Sequence, residues 1–379
     1  MNLAPTRKCT QGPELKLPAQ GFSLVELLVA MLIGLIILAA VVQIFVGSNA
    51  TYRLDEGLAR VQEGARFSMD FLAKDIRMAG YTGCNSKLSG IEIGNIVKDP
   101  NQAYLFNTSG IFGHRYACAA PSTCTGGLAE WEPPLPDYFV AGEVQVGSDV
   151  IIINRGSDLG TNLTGNLMPS NANIKVFDTT ALAQEVQNGD ILMVSDCKSA
   201  DIFRVSNISG GSGIKTIVHS GTNNISPPKL THDYWGDARL MKLVTRVYYV
   251  GASATPGETS LFRKALGVGG DLDTEELVEG VEALKILYGI DTAAAGTPAV
   301  GTPAQYMQPK DVTDWTKVVS VRLGMVVRTP GVVDTALDTK IYDVLDDTGT
   351  GTGTLDNFDP PDDNRRRRVF NTTIRLRNH

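Results

Sequence analysis

Glu26 is the side chain whose chemistry fits its surroundings least. From Phe22 to Val46 the only polar side chains are Ser23, Glu26 and Gln43. A lone carboxylate in such a run is costly and calls for a partner. Near a helix N-terminus the dipole favours it. Gly21 stands directly before the run, whereas a secretory signal places its small residues after a core of roughly 7–15 apolar residues. Elsewhere the residues that do chemistry do not converge. The four histidines, His114, His219, His232 and His379, form no H-E-x-x-H, and the chain has no G-x-S-x-G and no P-loop. Gly267-Val-Gly-Gly270 lacks the lysine that a phosphate loop needs. The chain therefore reads as a non-enzyme without a cofactor.

Of five cysteines, Cys9 precedes the apolar run, and Cys84, Cys118, Cys124 and Cys197 come after it. An even number in an exported region suggests two disulfides. Three pairings exist; the preferred one joins Cys118 to Cys124 in a small loop and Cys84 to Cys197 between the helical stalk and the body. A metal centre of His114, Cys118 and Cys124 is the rival reading, but the spacing matches no usual zinc knuckle, and no metal is assigned. The acidic stretch Asp343, Asp346, Asp347, Asp356, Asp359, Asp362 and Asp363 offers oxygen ligands without the spacing of a calcium loop. It reads as a solvated loop. In the run Arg365–Arg368 the adjacent aspartates favour ion pairing or a charged strand edge over contact with an anionic polymer. A net charge of −7 also argues against nucleic acid.

The elements that carry these residues can be read from periodicity. Phe22–Val46 as a helix is roughly 37 Å long at about 1.5 Å per residue, enough to cross a bilayer core of about 30 Å. Arg7, Lys8 and Lys16 put the short arm before it in the cytoplasm and the bulk of the chain outside. Beyond the span, Leu54, Leu58, Val61, Ala65, Phe71 or Leu72, and Ile76 recur at helical spacing. No proline interrupts Phe22–Gly80, so one helix is expected from Phe22 to about Ala79. After Gly80 come short apolar runs between turns. Asp149–Asn154, Asp190–Ser195, Asp201–Val205, Val318–Arg328 and Arg368–Arg377 read as strands. Met241–Val250 and Ser260–Ala265 read as a hairpin. Glu275–Leu287 reads as a short helix running into a strand that ends near Ile290. Ser86–Pro136 and Asp291–Pro309 read as insertions without an element. The fold class is α+β, a long N-terminal helix packed on a largely antiparallel sheet.

Gln20-Gly21-Phe22-Ser23-Leu24-Val25-Glu26 resembles the class III signal of type IV pilins and type II secretion pseudopilins. The resemblance implies that a prepilin peptidase cuts after Gly21 and N-methylates Phe22. Glu26 of an incoming subunit then meets the amine of a neighbour in the filament. Met78-Ala-Gly-Tyr-Thr-Gly-Cys84, Gly189-Asp-Ile-Leu-Met-Val-Ser-Asp-Cys197, Ser260-Leu-Phe-Arg263 and Arg367-Arg-Val-Phe-Asn-Thr-Thr-Ile-Arg375 are similar to the PilW family of minor pilins. That likeness implies a leader over 1–21, a pilin helix over 22–79 and a periplasmic β-rich head over 80–379. It implies an inner-membrane protein that enters a pilus near its tip. Its expected partners are the prepilin peptidase, other minor pilins, the major pilin and the inner-membrane assembly platform. The expected role is pilus assembly and priming, with pilus-dependent motility or adhesion. A minor pseudopilin of type II secretion and a pilus-mounted adhesin are the alternatives.

Overall fold

A computed structural model describes residues 21, 23–83, 92–98, 109–118, 124–165, 167–171, 173–196, 198–293, 301–334, 336–345 and 357–377. The chain divides into two compact units, Met1–Arg53 and Leu54–His379. One helix, α1 (Leu24–Met78), contributes to both. In the first unit every described side chain is exposed, including the apolar ones from Leu24 to Val46.

In the second unit α1 turns one stripe inward: Gly57, Val61, Ala65, Ser68, Leu72, Asp75 and Ile76 are buried at steps of three and four. The stripe runs through Leu72, and its neighbour Phe71 faces outward. The helix stops at Gly80, whose φ of 71° is left-handed and favours glycine there. The Gly80 N–H then donates to Asn154 O at 2.9 Å, and the Arg377 N–H donates to Arg77 O at 3.0 Å. The crossing at Gly80 is close: a Cβ on Gly110 would lie 2.1 Å from Gly80 N.

The strands are β1 (Glu92–Asn95), β2 (Ile111–Tyr116), β3 (Trp131–Glu132), β4 (Val150–Asn162), β5 (Asn173–Phe177), β6 (Ile191–Ser195), β7 (Ser199–Arg204), β8 (Asn207–Gly211) and β9 (Ile214–Val218). Further along the chain lie β10 (Arg239–Ala252), β11 (Thr259–Leu266), β12 (Leu272–Glu279), β13 (Val281–Ile290), β14 (Gln305–Met307), β15 (Val318–Arg328), β16 (Tyr342–Asp343), β17 (Asn357–Phe358) and β18 (Arg367–Arg375). The large sheet runs β1-β7-β6-β10-β4-β2-β3, with β11 on β10 and β12 on β11. Only β1–β7 in it is parallel. A second, antiparallel sheet runs β14-β13-β15-β18. The α1 stripe, Ile151, Ile153, Tyr248 and Leu261 of the large sheet, and Leu284, Ile286, Val321 and Leu323 of the second share one core. Each such side chain contributes about 1.5–3 kcal/mol when buried. A separate core lies under the small sheet β5-β9-β8.

Two expectations are corrected. Glu275–Leu287 contains no helix: β12 and β13 flank a turn at Gly280, φ 91°. Pairing with β11 claims the backbone donors there, and Arg263 meets Glu275 across the strands at 2.6 Å. The supposed insertions also carry elements. β1, β2 and β3 lie within Ser86–Pro136, with Trp131 fully buried, and β14 lies within Asp291–Pro309.

Candidate functional site

The start of α1 is a capping box. Ser23 Oγ accepts from Val25 N–H at 3.3 Å, and Ser23 N–H donates to Glu26 Oε2 at 3.1 Å. Ser23 O takes the next donor, Leu27 N–H, at 3.1 Å. Two donors of the first turn, which no helix satisfies internally, are thereby met reciprocally. Glu26 thus has a partner within its own chain, one turn from where the helix begins. The S-x-x-E spacing at Ser23 and Glu26 carried this signal in the sequence, and reading Glu26 only against an amine passed over it. Gly21 is described and exposed; Phe22 lies outside the described residues. On either side of Glu26 the helix presents a bare apolar surface: Leu24, Ile44 and Phe45 are 73%, 72% and 67% exposed. It is the one described helix long and apolar enough to cross a membrane. An apolar surface of this extent needs lipid or protein around it.

Several ionisable groups of the head are held by named partners. Cys118 and Cys124 are disulfide-bonded, so their sulfurs are not available as thiolate ligands. A Glu130 oxygen lies within 4.8 Å of both sulfurs. Its carboxylate accepts from Thr125 N–H at 2.7 Å, Thr125 Oγ1 at 3.0 Å and Gly126 N–H at 3.0 Å, and these donors hold its pKa down. His114 is buried with Nδ1 2.8 Å from Pro133 O, and burial lowers its pKa to about 4. The pairing of Cys84 with Cys197 falls outside the described residues, as do Asp346, Asp347 and Asp356 of the acidic stretch. Asp363 of that stretch bonds Arg367 at 2.7 Å, and the arginine run is an ion-pair network. Arg365 meets Glu258 at 2.7 Å, Arg366 meets Asp334, and Arg367 meets Glu282 at 2.6 Å. Sequence reasoning did not find Asp149, which joins the two sheets. Its backbone N–H donates to Leu284 O at 2.7 Å; its carboxylate accepts from Tyr116 N–H at 3.2 Å and Ile286 N–H at 2.9 Å.

The described residues of the first unit form an exposed apolar helix segment carrying one capped carboxylate, and those of the second a head cross-braced by ion pairs. Residues 247–378 match the family described as type IV pilus-assembly protein W. Residues 17–42 match the prokaryotic N-terminal methylation motif. No protein of curated function matches the chain. Among solved structures, a type IV-like pilin from Thermus thermophilus is similar at 14% identity, over 51% of this chain and 85% of that one, with a TM-score of 0.25.

Proposed function

We propose, from the premise that the chain is a type IV pilus-assembly-related pilin, that it acts as a minor pilin that helps to start or sustain a pilus. The reading rests on one coincidence. The W-family match takes in β11 to β18, strands that supply Leu261, Leu284, Ile286, Val321 and Leu323 to the core around α1. The methylation motif lies on that same helix. The part that resembles a pilus-assembly protein therefore supplies much of the core on which the second half of the helix packs.

In this reading residues 1–21 are a leader removed after Gly21, 22–79 the pilin helix and 80–379 the head. The chain waits in the inner membrane with its head in the periplasm. Prepilin peptidase frees and methylates the Phe22 amine. The carboxylate of Glu26, held by the Ser23 N–H until then, exchanges that weak partner for the amine of a neighbouring subunit. A charge pair in an apolar bundle sets axial register because the mispaired alternative leaves a buried charge. Other minor pilins, the major pilin and the assembly platform are the partners, and motility or adhesion the output.

Mass spectrometry of the native N-terminus tests the reading. A methylated Phe22 is expected, and an N-terminus at Met1 would overturn it. Glu26→Ala is expected to leave cleavage intact and to strip the cell surface of pili; normal piliation would remove the role given to the charge. Lost exoprotein secretion with intact twitching in a deletion strain would move the chain to a type II secretion pseudopilin instead.

A further inference from the structure

A cleft of about 480 Å³ opens between the second half of α1 and β12. Its floor is Gly64, Leu277 and Val278, and its helix wall is Phe67 and Phe71. Those two rings are 44% and 37% exposed, although the helix has already filled the core with the stripe beside them. Folding of the head therefore does not require them. They lie one turn apart, on the same face of the helix. Gly64 lets strand and helix meet closely, since a Cβ there would lie 3.2 Å from Val278 Cγ1.

The strand wall is built against strand addition. β12 pairs only with β11 among the described residues. Its register shifts opposite Leu261 and Phe262, and Asp271, Asp273, Glu275, Glu276 and Glu279 run along it. A bulge and a row of charges are the devices that blunt an open edge. The cleft accordingly accepts side chains, not another strand. Its charges are unevenly committed. Arg60 is taken by Glu56 at 2.8 Å and Arg263 by Glu275 at 2.6 Å. Glu63 and Glu279 have no cationic partner among the described residues, and both are exposed at the rim. An apolar cavity between aromatic rings with two unneutralised carboxylates at its mouth fits an apolar knob flanked by cations.

We infer that this cleft docks a neighbouring pilus subunit of a different sequence, which inserts an apolar side chain flanked by lysine or arginine between Phe67 and Val278. The inference rests on the reading of the chain as a filament subunit.

The test uses the full-length chain in its own cells, with a photoreactive phenylalanine analogue replacing Phe67. Illumination is expected to join it to another chain that begins with an N-methylated residue, at an apolar residue within one turn of Lys or Arg. In the Glu63→Lys/Glu279→Lys variant that product is expected to fall at least tenfold, and reversing the partner's cation is expected to restore it. Both positions are exposed, so the head's thermal unfolding should not shift. A product insensitive to the charge reversal, products with lipid alone, or products with a second copy of this chain would each overturn the inference. So would an equal yield from the analogue at Trp235, which is 59% exposed in another part of the head. A methylated Phe22 without the Phe67 product would sink the cleft alone; an N-terminus at Met1 would sink the filament reading with it.

Discussion

Arg367 has no exposed side-chain surface, and three carboxylates surround it: Glu282 at 2.6 Å, Asp363 at 2.7 Å and Asp338 at 3.3 Å. Glu282 also holds Arg328 at 2.9 Å. Burial works against the Asp363 carboxylate, yet bonds from Arg367 and the Arg365 N–H keep its pKa below the usual range. Glu282→Ala would take one carboxylate from each of two guanidiniums, leaving Arg367 with Asp363 and Asp338 and Arg328 with Glu258, and is expected to cost about 1.5–3 kcal/mol, read as a lower urea midpoint at unchanged slope. The double change Glu282→Leu/Arg367→Met is expected not to recover that loss, because it leaves Asp338 and Asp363 without their shared guanidinium and Arg328 still without Glu282. A second residue-level effect concerns pH. His219 is buried against Phe203, with ring centroids 5.0 Å apart, and burial lowers its pKa to about 4, as it does for His114. The unfolded chain binds protons at about pH 6.5 and the folded head only near 4. Stability is therefore complete above about 6.5 and is lost as pH falls toward 4, by up to roughly 3 kcal/mol per histidine. His219→Phe is expected to flatten that decline by about half, with a much smaller change at pH 7. Urea titrations at pH 7 and pH 4.5 check it: an equal wild-type-to-variant difference at both would exclude the histidine as the cause.

At the scale of elements, what could be read depended on whether one period ruled a segment. The α1 stripe was legible because residues 54–76 keep one helical period, except that Phe71 and Leu72 competed for one place. Packing resolves it: Leu72 is fully buried and Phe71 is not. Leu72→Ala is therefore expected to cost about 2–5 kcal/mol in a urea titration, and Phe71→Ala under about 0.5 kcal/mol. Equal losses would mean that the wrong face has been assigned to the core. The β10–β11 hairpin was equally plain, since alternation on both sides of Gly251 pairs Tyr248 with Arg263 and Val250 with Leu261. β2 was not legible. Its six residues include a glycine and the ionisable His114 and Arg115, both buried, which destroys the alternation. Gly113 is there because a Cβ would lie 2.0 Å from Tyr288 Oη of the other sheet. That constraint arises from tertiary contact and leaves no local trace. β12 failed for the opposite reason: its acids face solvent, so its sequence shows little of the buried side from which a strand is recognised. At the candidate site Gly21 and Glu26 stood out because charge and glycine interrupt an apolar run. Ser23 did not, because a serine in front of a helix is ordinary until its bonds are seen.

At the scale of the whole molecule, the two units place opposite demands on solvent. Every described side chain between Ser23 and Arg53 is exposed, and from Leu24 to Val46 nearly all are apolar. Every buried residue named for the head lies at or beyond Gly57. Among the described residues the head's cores are built from the second unit alone. The fragment Leu54–His379 is expected to be soluble without detergent and to unfold cooperatively, with a urea midpoint matching that of the head in the full chain held in detergent. The full chain is expected to precipitate once detergent is removed, because its apolar helix then has neither lipid nor partner helices to cover it. Circular dichroism during urea titration, with size exclusion in the absence of detergent, checks both. A fragment that aggregates or melts without cooperativity would show that the head borrows stability from the first unit. A full chain that stays monomeric without detergent would mean that the apolar helix is covered by something within its own chain.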